Sequence, residues 1–154
     1  MVSGTCLNRA VGLLATRLII ATLTMMIGYH KIVTEGLAAQ MQWFAMLEAW
    51  FPHWVLVAVN YYAAYVELCA GALLFVGLLR DQAIYLILSV LVIVTIGHSL
   101  EATVWDIEQM AFRTIALVTL LLAPAAWDRL RLDALLQRRG NGAPERKAAG
   151  DTSI

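Results

Sequence analysis

The sequence predicts an all-α integral membrane four-helix bundle, with a short interfacial helix between spans one and two and a basic amphipathic C-terminal helix. Three observations predict it. Hydrophobic residues fill 61% of the 154 positions and charged residues only 14%, against about 45–50% and about 25% in a soluble domain. Four apolar stretches approach the ~20 residues that cross a bilayer as a helix. Within those stretches stand Arg17, Glu67, His98 and Arg113, and an ionisable group at membrane depth is costly enough to be a functional hypothesis by default. Eleven basic and eleven acidic residues cancel, which excludes an electrostatic nucleic-acid binder. Cys6 precedes the first span and Cys69 lies inside the second, so both read as free thiols.

Span one covers 10–33. Arg9 ahead of an apolar run imitates a signal peptide, but Arg17 interrupts the run and no small-x-small cleavage site follows. The segment is therefore expected to stay as the first transmembrane helix. Arg17, Ala21, Thr24, Gly28 and Lys31 recur at helical spacing and form one polar-and-small face. Leu18, Ile19, Leu23 and Met26 are left for lipid.

The connector, 34–53, places Trp43, Leu47, Trp50 and Phe51 at i, i+4, i+7 and i+8. That pattern fits an amphipathic helix at the membrane interface, where tryptophan is favoured, ended by Pro52. A connecting helix packed over the bundle mouth fits equally well.

Span two, 54–79, aligns Asn60, Ala64, Glu67, Gly71 and Leu74 on one face, and the small members permit close helix approach. Arg80 and Asp81 are expected to form the turn into span three, 82–104, whose polar residues Thr95, His98, Ser99 and Glu101 gather at its far end. Span four, 107–127, holds Arg113, Thr114 and Thr119. These spans make a transmembrane domain over 1–127. The tail, 128–154, sets leucines against arginines in a segment suited to an anionic leaflet, with disorder expected from about 141.

Arg9, Arg80, Arg129, Arg131, Arg138, Arg139, Arg146 and Lys147 all fall on one side of four spans, with Lys31 in a loop on the other. The positive-inside rule then sets both termini in the cytoplasm. By the helical rise, Glu67 lies near the midplane, with His98 and Arg113 about 6–8 Å above it on the outward half. Asn60, Tyr61, Tyr62 and Tyr65 share that half, and Arg17 lies alone on the inward half.

The polar set thus suggests an outward-half pocket with Glu67 as its floor. Glu67 reads either as a titratable proton acceptor or as half of a structural ion pair with Arg17 or Arg113. His98 reads as a catalytic or a merely satisfied histidine, with Glu101 at i+3 able to fix its tautomer. His30, Glu67, His98 and Glu101 are of metal-ligand type, but the Glu-x-x-His repeat of bundle di-iron sites is missing, so no metal is expected.

At two places the chain resembles the DoxX/DoxD family of small four-helix bacterial membrane proteins. One is Arg17 with the run to Gly28-Tyr29-His30-Lys31; the other is ELCAGALLFVGL over 67–78. The likeness extends over roughly 17–124, with spans three and four similar only in hydropathy. The resemblance implies a redox component of the bacterial inner membrane, since family members include subunits of a thiosulfate:quinone oxidoreductase and partners in a membrane oxidoreductase complex. Residue by residue it transfers Arg17, Lys31 and Glu67. A quinone-interacting subunit in the lipid bilayer, with a redox partner protein or as a homo-oligomer, is the expectation. Its catalytic set would be Glu67, His98 and Arg113; its quinone-binding set would be Arg17, Lys31, Asn60, Tyr61, Tyr65 and Glu101. The competing readings are a non-catalytic anchor locked by its buried charges, and a small metal-handling or transport protein.

Overall fold

The computed structural model describes residues 2–101, 107–124 and 127, with side chains from 7 to 100, from 110 to 124 and at 127. Helix α1 spans Val2–Tyr29 and runs on into a π-helical turn, His30–Glu35. The connector holds α2, Leu37–Phe44, and a 3₁₀ turn, Ala45–Ala49. Three more helices follow: α3 at His53–Val76, α4 at Arg80–Glu101 and α5 at Ile107–Leu122. Leu7–Glu35, His53–Val76 and Arg80–Leu100 are long and apolar enough to cross a membrane. Helix α5 has 16 residues, about 24 Å by rise, short of the ~30 Å hydrocarbon core. The expected membrane bundle is present, with its fourth member short. The expected turn at 102–106, tail helix and disordered end lie outside the described residues.

Three side-chain contacts fix how the helices run. Arg80 Nη2 donates to the Ala123 carbonyl at 3.3 Å, and the Arg9 guanidinium sits 4.8 Å over the Trp127 ring. The early part of α1, the start of α4 and the chain after α5 therefore meet at one end. At the opposite end Thr95 Oγ1 lies 3.3 Å from Met110 Sδ, so α4 and α5 are antiparallel.

Two boundaries differ from expectation. Helix α3 stops at Val76 because Gly77 takes a left-handed conformation, φ 75°, and closes the helix end. There the Leu78 N–H donates to the Leu73 carbonyl at 2.9 Å, and the Gly77 N–H to that of Leu74 at 3.2 Å. Arg80 and Asp81 are consequently not the turn but the first residues of α4, and Arg80 is buried. Span one also ends later than Val33. Its π-helical extension takes Lys31 out of the expected loop and into the helix.

The expected faces of α1 and α3 are the faces that meet. Arg17, Ala21, Thr24 and Gly28 are buried, as are Asn60, Ala64, Glu67, Gly71 and Leu74. Ile19, Leu23 and Met26 are exposed on the other side of α1. The crossing is close because glycine stands at both contact points. A Cβ on Gly28 would come within 2.8 Å of the Ala64 carbonyl oxygen, and one on Gly71 within 2.6 Å of the Met25 amide nitrogen. Such small-residue contacts are a main source of helix association where lipid leaves no hydrophobic driving force.

The apolar core fills the half of the bundle nearer the Gly77 turn. It joins Ile20 and Ala21 of α1, Leu74 of α3, Ile84 and Ile87 of α4, and Leu117 and Leu120 of α5. The half nearer the connector contains the cavities described below.

Gly28→Leu should therefore destabilise the bundle by about 1–3 kcal/mol or more, because the overpacked contact is backbone and cannot turn away. Gly12→Leu, where an added Cβ meets nothing within 4 Å, should leave the melting temperature in detergent unchanged. Equal melting of the two variants would refute the close-crossing account.

Candidate functional site

Gly28 lies against Ala64 and Leu68, and Met25 against Gly71, so α1 rises as α3 descends. That register sets Lys31 about one turn from Glu67 along α3. The long lysine stem closes the gap, and Nζ lies 2.6 Å from Glu67 Oε2. The Glu67 side chain is 5% exposed and that of Lys31 25%. Opposite charges at hydrogen-bond distance offset the cost of placing either one where water is excluded.

Lys31, which was not among the anticipated partners Arg17 and Arg113, contacts Glu67 directly. Arg17 follows the same register to the level of the Gly77 turn, about 15 Å along the axis from Glu67 by the helical rise. It is buried there at 2% exposure, among helix ends and not in the pocket. Arg113, by contrast, does reach the pocket. Glu67, Lys31, His98 and Arg113 line one cavity of about 270 Å³, with Ile27, Leu91, Val94 and Met110 as its apolar walls. The three residues singled out for catalysis are thus brought together from α3, α4 and α5.

A second, larger cavity of about 550 Å³ adjoins it. Lys31, Val94 and His98 line both. The larger cavity is roofed by Trp43, Phe44, Leu47 and Phe51 of the connector and walled by Val59, Asn60 and Ala63 of α3 and Ile93 and Gly97 of α4. Its polar groups are Lys31, Gln40, Asn60 and His98. Two of them also hold the connector down. Asn60 Nδ2 donates to the Leu37 carbonyl at 2.9 Å, and Gln40 Nε2 to Glu35 Oε2 at 3.0 Å. At the connector's far end His53 Nδ1 and Glu48 Oε1 are 2.7 Å apart.

The connector is not the single amphipathic helix expected. It tightens from α2 into the 3₁₀ turn at Ala45, which changes the angle per residue and splits the anticipated face. Leu47 turns inward and is buried, while Trp43 and Trp50 are 76% and 65% exposed. Tyr61 and Tyr65 are a further correction. Their rings stack 6.4 Å apart, half-exposed on the outside of α3, and line neither cavity. They face away because the buried stripe of α3 passes through Asn60, Ala64 and Glu67, leaving 61 and 65 on the opposite arc. The side chain of Glu101 lies outside those described. His30 sits at the surface, 3.5 Å from Glu35, apart from the Glu67 cavity. Cys69 is a free, exposed thiol. Among the described residues no three His, Cys, Asp or Glu side chains converge as a metal set.

Sequence reasoning missed Gln40, Phe44 and Gly97 as cavity residues. Gly97 was visible as a small residue beside His98; nothing in the sequence indicated that Gln40 would fold back beneath the connector.

The family model described as DoxX matches residues 12–99. That stretch is more than half of the chain and includes the α1–α3 crossing, the connector and His98. No curated protein matches, and neither does any solved structure. Of the three residues on which the resemblance rests, Lys31 and Glu67 are in contact and Arg17 stands apart.

A double-mutant cycle of Lys31→Met with Glu67→Gln should give a coupling of about 1–3 kcal/mol. Additive effects would show that the pair contributes nothing.

Proposed function

Since the chain belongs to the DoxX family, we propose that it is the membrane subunit of a redox system and that its adjoining cavities accept a quinone. The supporting observation is that Lys31 and His98 line both cavities and stand between the aromatic one and Glu67 with Arg113. A cavity of about 550 Å³ with mostly apolar walls and a few convergent polar groups is the usual form of a small-molecule site.

In this reading the ring lies among Phe44, Leu47 and Phe51. A bound quinone supplies an acceptor of two electrons and two protons. Lys31 and His98 offer N–H donors to its carbonyl oxygens, and Arg113 stabilises negative charge that develops as electrons arrive. Glu67 relays protons, which requires Lys31 to exchange between the carboxylate and the ligand. The electrons would come from a partner protein. We also propose that both termini face the cytoplasm of a bacterial inner membrane. The support is that Arg9 and Arg80 share the bundle end opposite the connector, as the positive-inside rule requires.

A second reading is favoured by the Lys31–Glu67 pair beside the Gly28 contact. It is an anchor subunit whose buried charges only lock α1 to α3. Lys31→Met combined with Glu67→Leu separates the two, because an anchor survives replacement of a buried pair by apolar residues.

In nanodiscs, a decyl-chain benzoquinone should quench tryptophan fluorescence saturably. His98→Leu should weaken that binding at least tenfold and Tyr65→Leu should not. Absence of saturable quenching, with partner binding retained in the Lys31→Met/Glu67→Leu variant, would leave the anchor reading standing.

A further inference from the structure

The larger cavity has a second property that bears on how a ligand reaches it. Its lining on α4 includes Ile93, Ile96 and Gly97. These precede the helix end at Glu101 by about 6–12 Å of rise. On α3 the lining runs from Val55 to Ala63, about 3–15 Å in from His53 by the same rise. With the helix ends taken as the membrane boundary, the deeper parts of both walls fall at the depth of the hydrocarbon of one leaflet. Ile96, which lines the cavity, is 52% exposed on the outside of α4. Gly97 adds no side chain to the wall, and a Cβ there would meet only Leu47 Cδ1, at 3.5 Å.

The polar end has a definite chemistry. Among the described residues no carboxylate lines this cavity, and its charged side chain is the Lys31 ammonium. An ammonium has three N–H donors and no acceptor, and Glu67 takes one of them. A headgroup that ends here must accept hydrogen bonds; an amine or quaternary ammonium would meet a like charge.

We propose that the α3–α4 groove beneath the connector is a lateral port. It admits an amphiphile from the connector-side leaflet, seats its chain against Val59, Ile93 and Ile96, and brings a carbonyl or carboxylate oxygen to Lys31 and His98. The port rests on reading the cavity as a ligand site, but not on the ligand being a quinone.

Two photoactivatable probes test it on the full-length chain in nanodiscs: a decyl-chain benzoquinone and palmitic acid, each with a diazirine on the chain. Cross-links should concentrate on 55–63 and 93–97. Gly97→Trp should reduce them at least tenfold. Val59→Trp, which fills the same groove from α3, should do likewise and decides the matter if Gly97→Trp does not fold. Val118→Trp on the exposed side of α5 should change nothing. Labelling by palmitic acid alone supports the port and removes the quinone; labelling by the benzoquinone supports both. Labelling by neither probe, or labelling that both tryptophans leave intact, overturns the port.

Discussion

The close crossing of α1 and α3 is the constraint on which the rest of the structure depends. Within lipid, two helices gain little by hiding apolar side chains, so contact must come from the fit of their surfaces. Here the fit is backbone against backbone. Gly28 rests on Ala64 and Leu68, and Gly71 rests on Met25. Two such contacts, one above the other, fix both the separation of the helices and their register. Every polar side chain of the two helices is then assigned a height and a neighbour. Lys31 falls beside Glu67 and Arg17 falls beside the Gly77 turn. The ion pair is thus a consequence of the steric fit before it is a source of stability.

Electrostatics then explains why the site is lined as it is. A lone charge at membrane depth is costly, and Glu67 and Lys31 set opposite charges side by side there. The 2.6 Å contact offsets that cost for each. It does so at the end of α1, where the helix has passed into a π turn. Hydrogen bonds from i to i+5 change the angular position of the residues that follow, and single π turns recur at functional sites. Lys31 therefore stands on a backbone less regular than that of Arg17 or Ala21 below it. The pair is held by a rigid carboxylate on α3 and a flexible cation on a modified helix end. If one partner is to move, it is the lysine.

The membrane bundle and the buried stripes were legible because period and polarity agree. Ala21, Thr24 and Gly28 on α1, and Ala64, Glu67 and Gly71 on α3, are spaced for one face, and those faces are buried. The gathering of Glu67, His98 and Arg113 was legible from helical rise alone, since depth is additive along a straight helix. The Lys31–Glu67 contact was not among those anticipated, although Lys31 stood on the same expected face as Gly28, because depth counting put that lysine nearer the surface than Glu67. Tyr61 and Tyr65 were misplaced because depth says nothing about direction. They have the right height and the wrong arc. Of the two connector readings, the one packed over the bundle mouth matches the roof it forms, while the break from α2 into the 3₁₀ turn at Ala45 has no signal in the apolar spacing.

The division of the connector-side half into two cavities suggests how such a site separates its tasks. The inner cavity, about 270 Å³, is roughly half the size of the outer one, and its walls include a carboxylate and a guanidinium. The outer one is larger, and none of the described residues that line it is an acid. Bringing an apolar ligand body into the inner cavity would strip solvation from Glu67 and Arg113 without replacing it. In the proposed function such a body therefore rests in the outer cavity, and the proton relay belongs to the inner one. Lys31 and His98 belong to both walls, so the proposed exchange between ligand and Glu67 would run beside them. Lys31 already holds Glu67 at 2.6 Å, and the same ammonium is the one a ligand oxygen would meet.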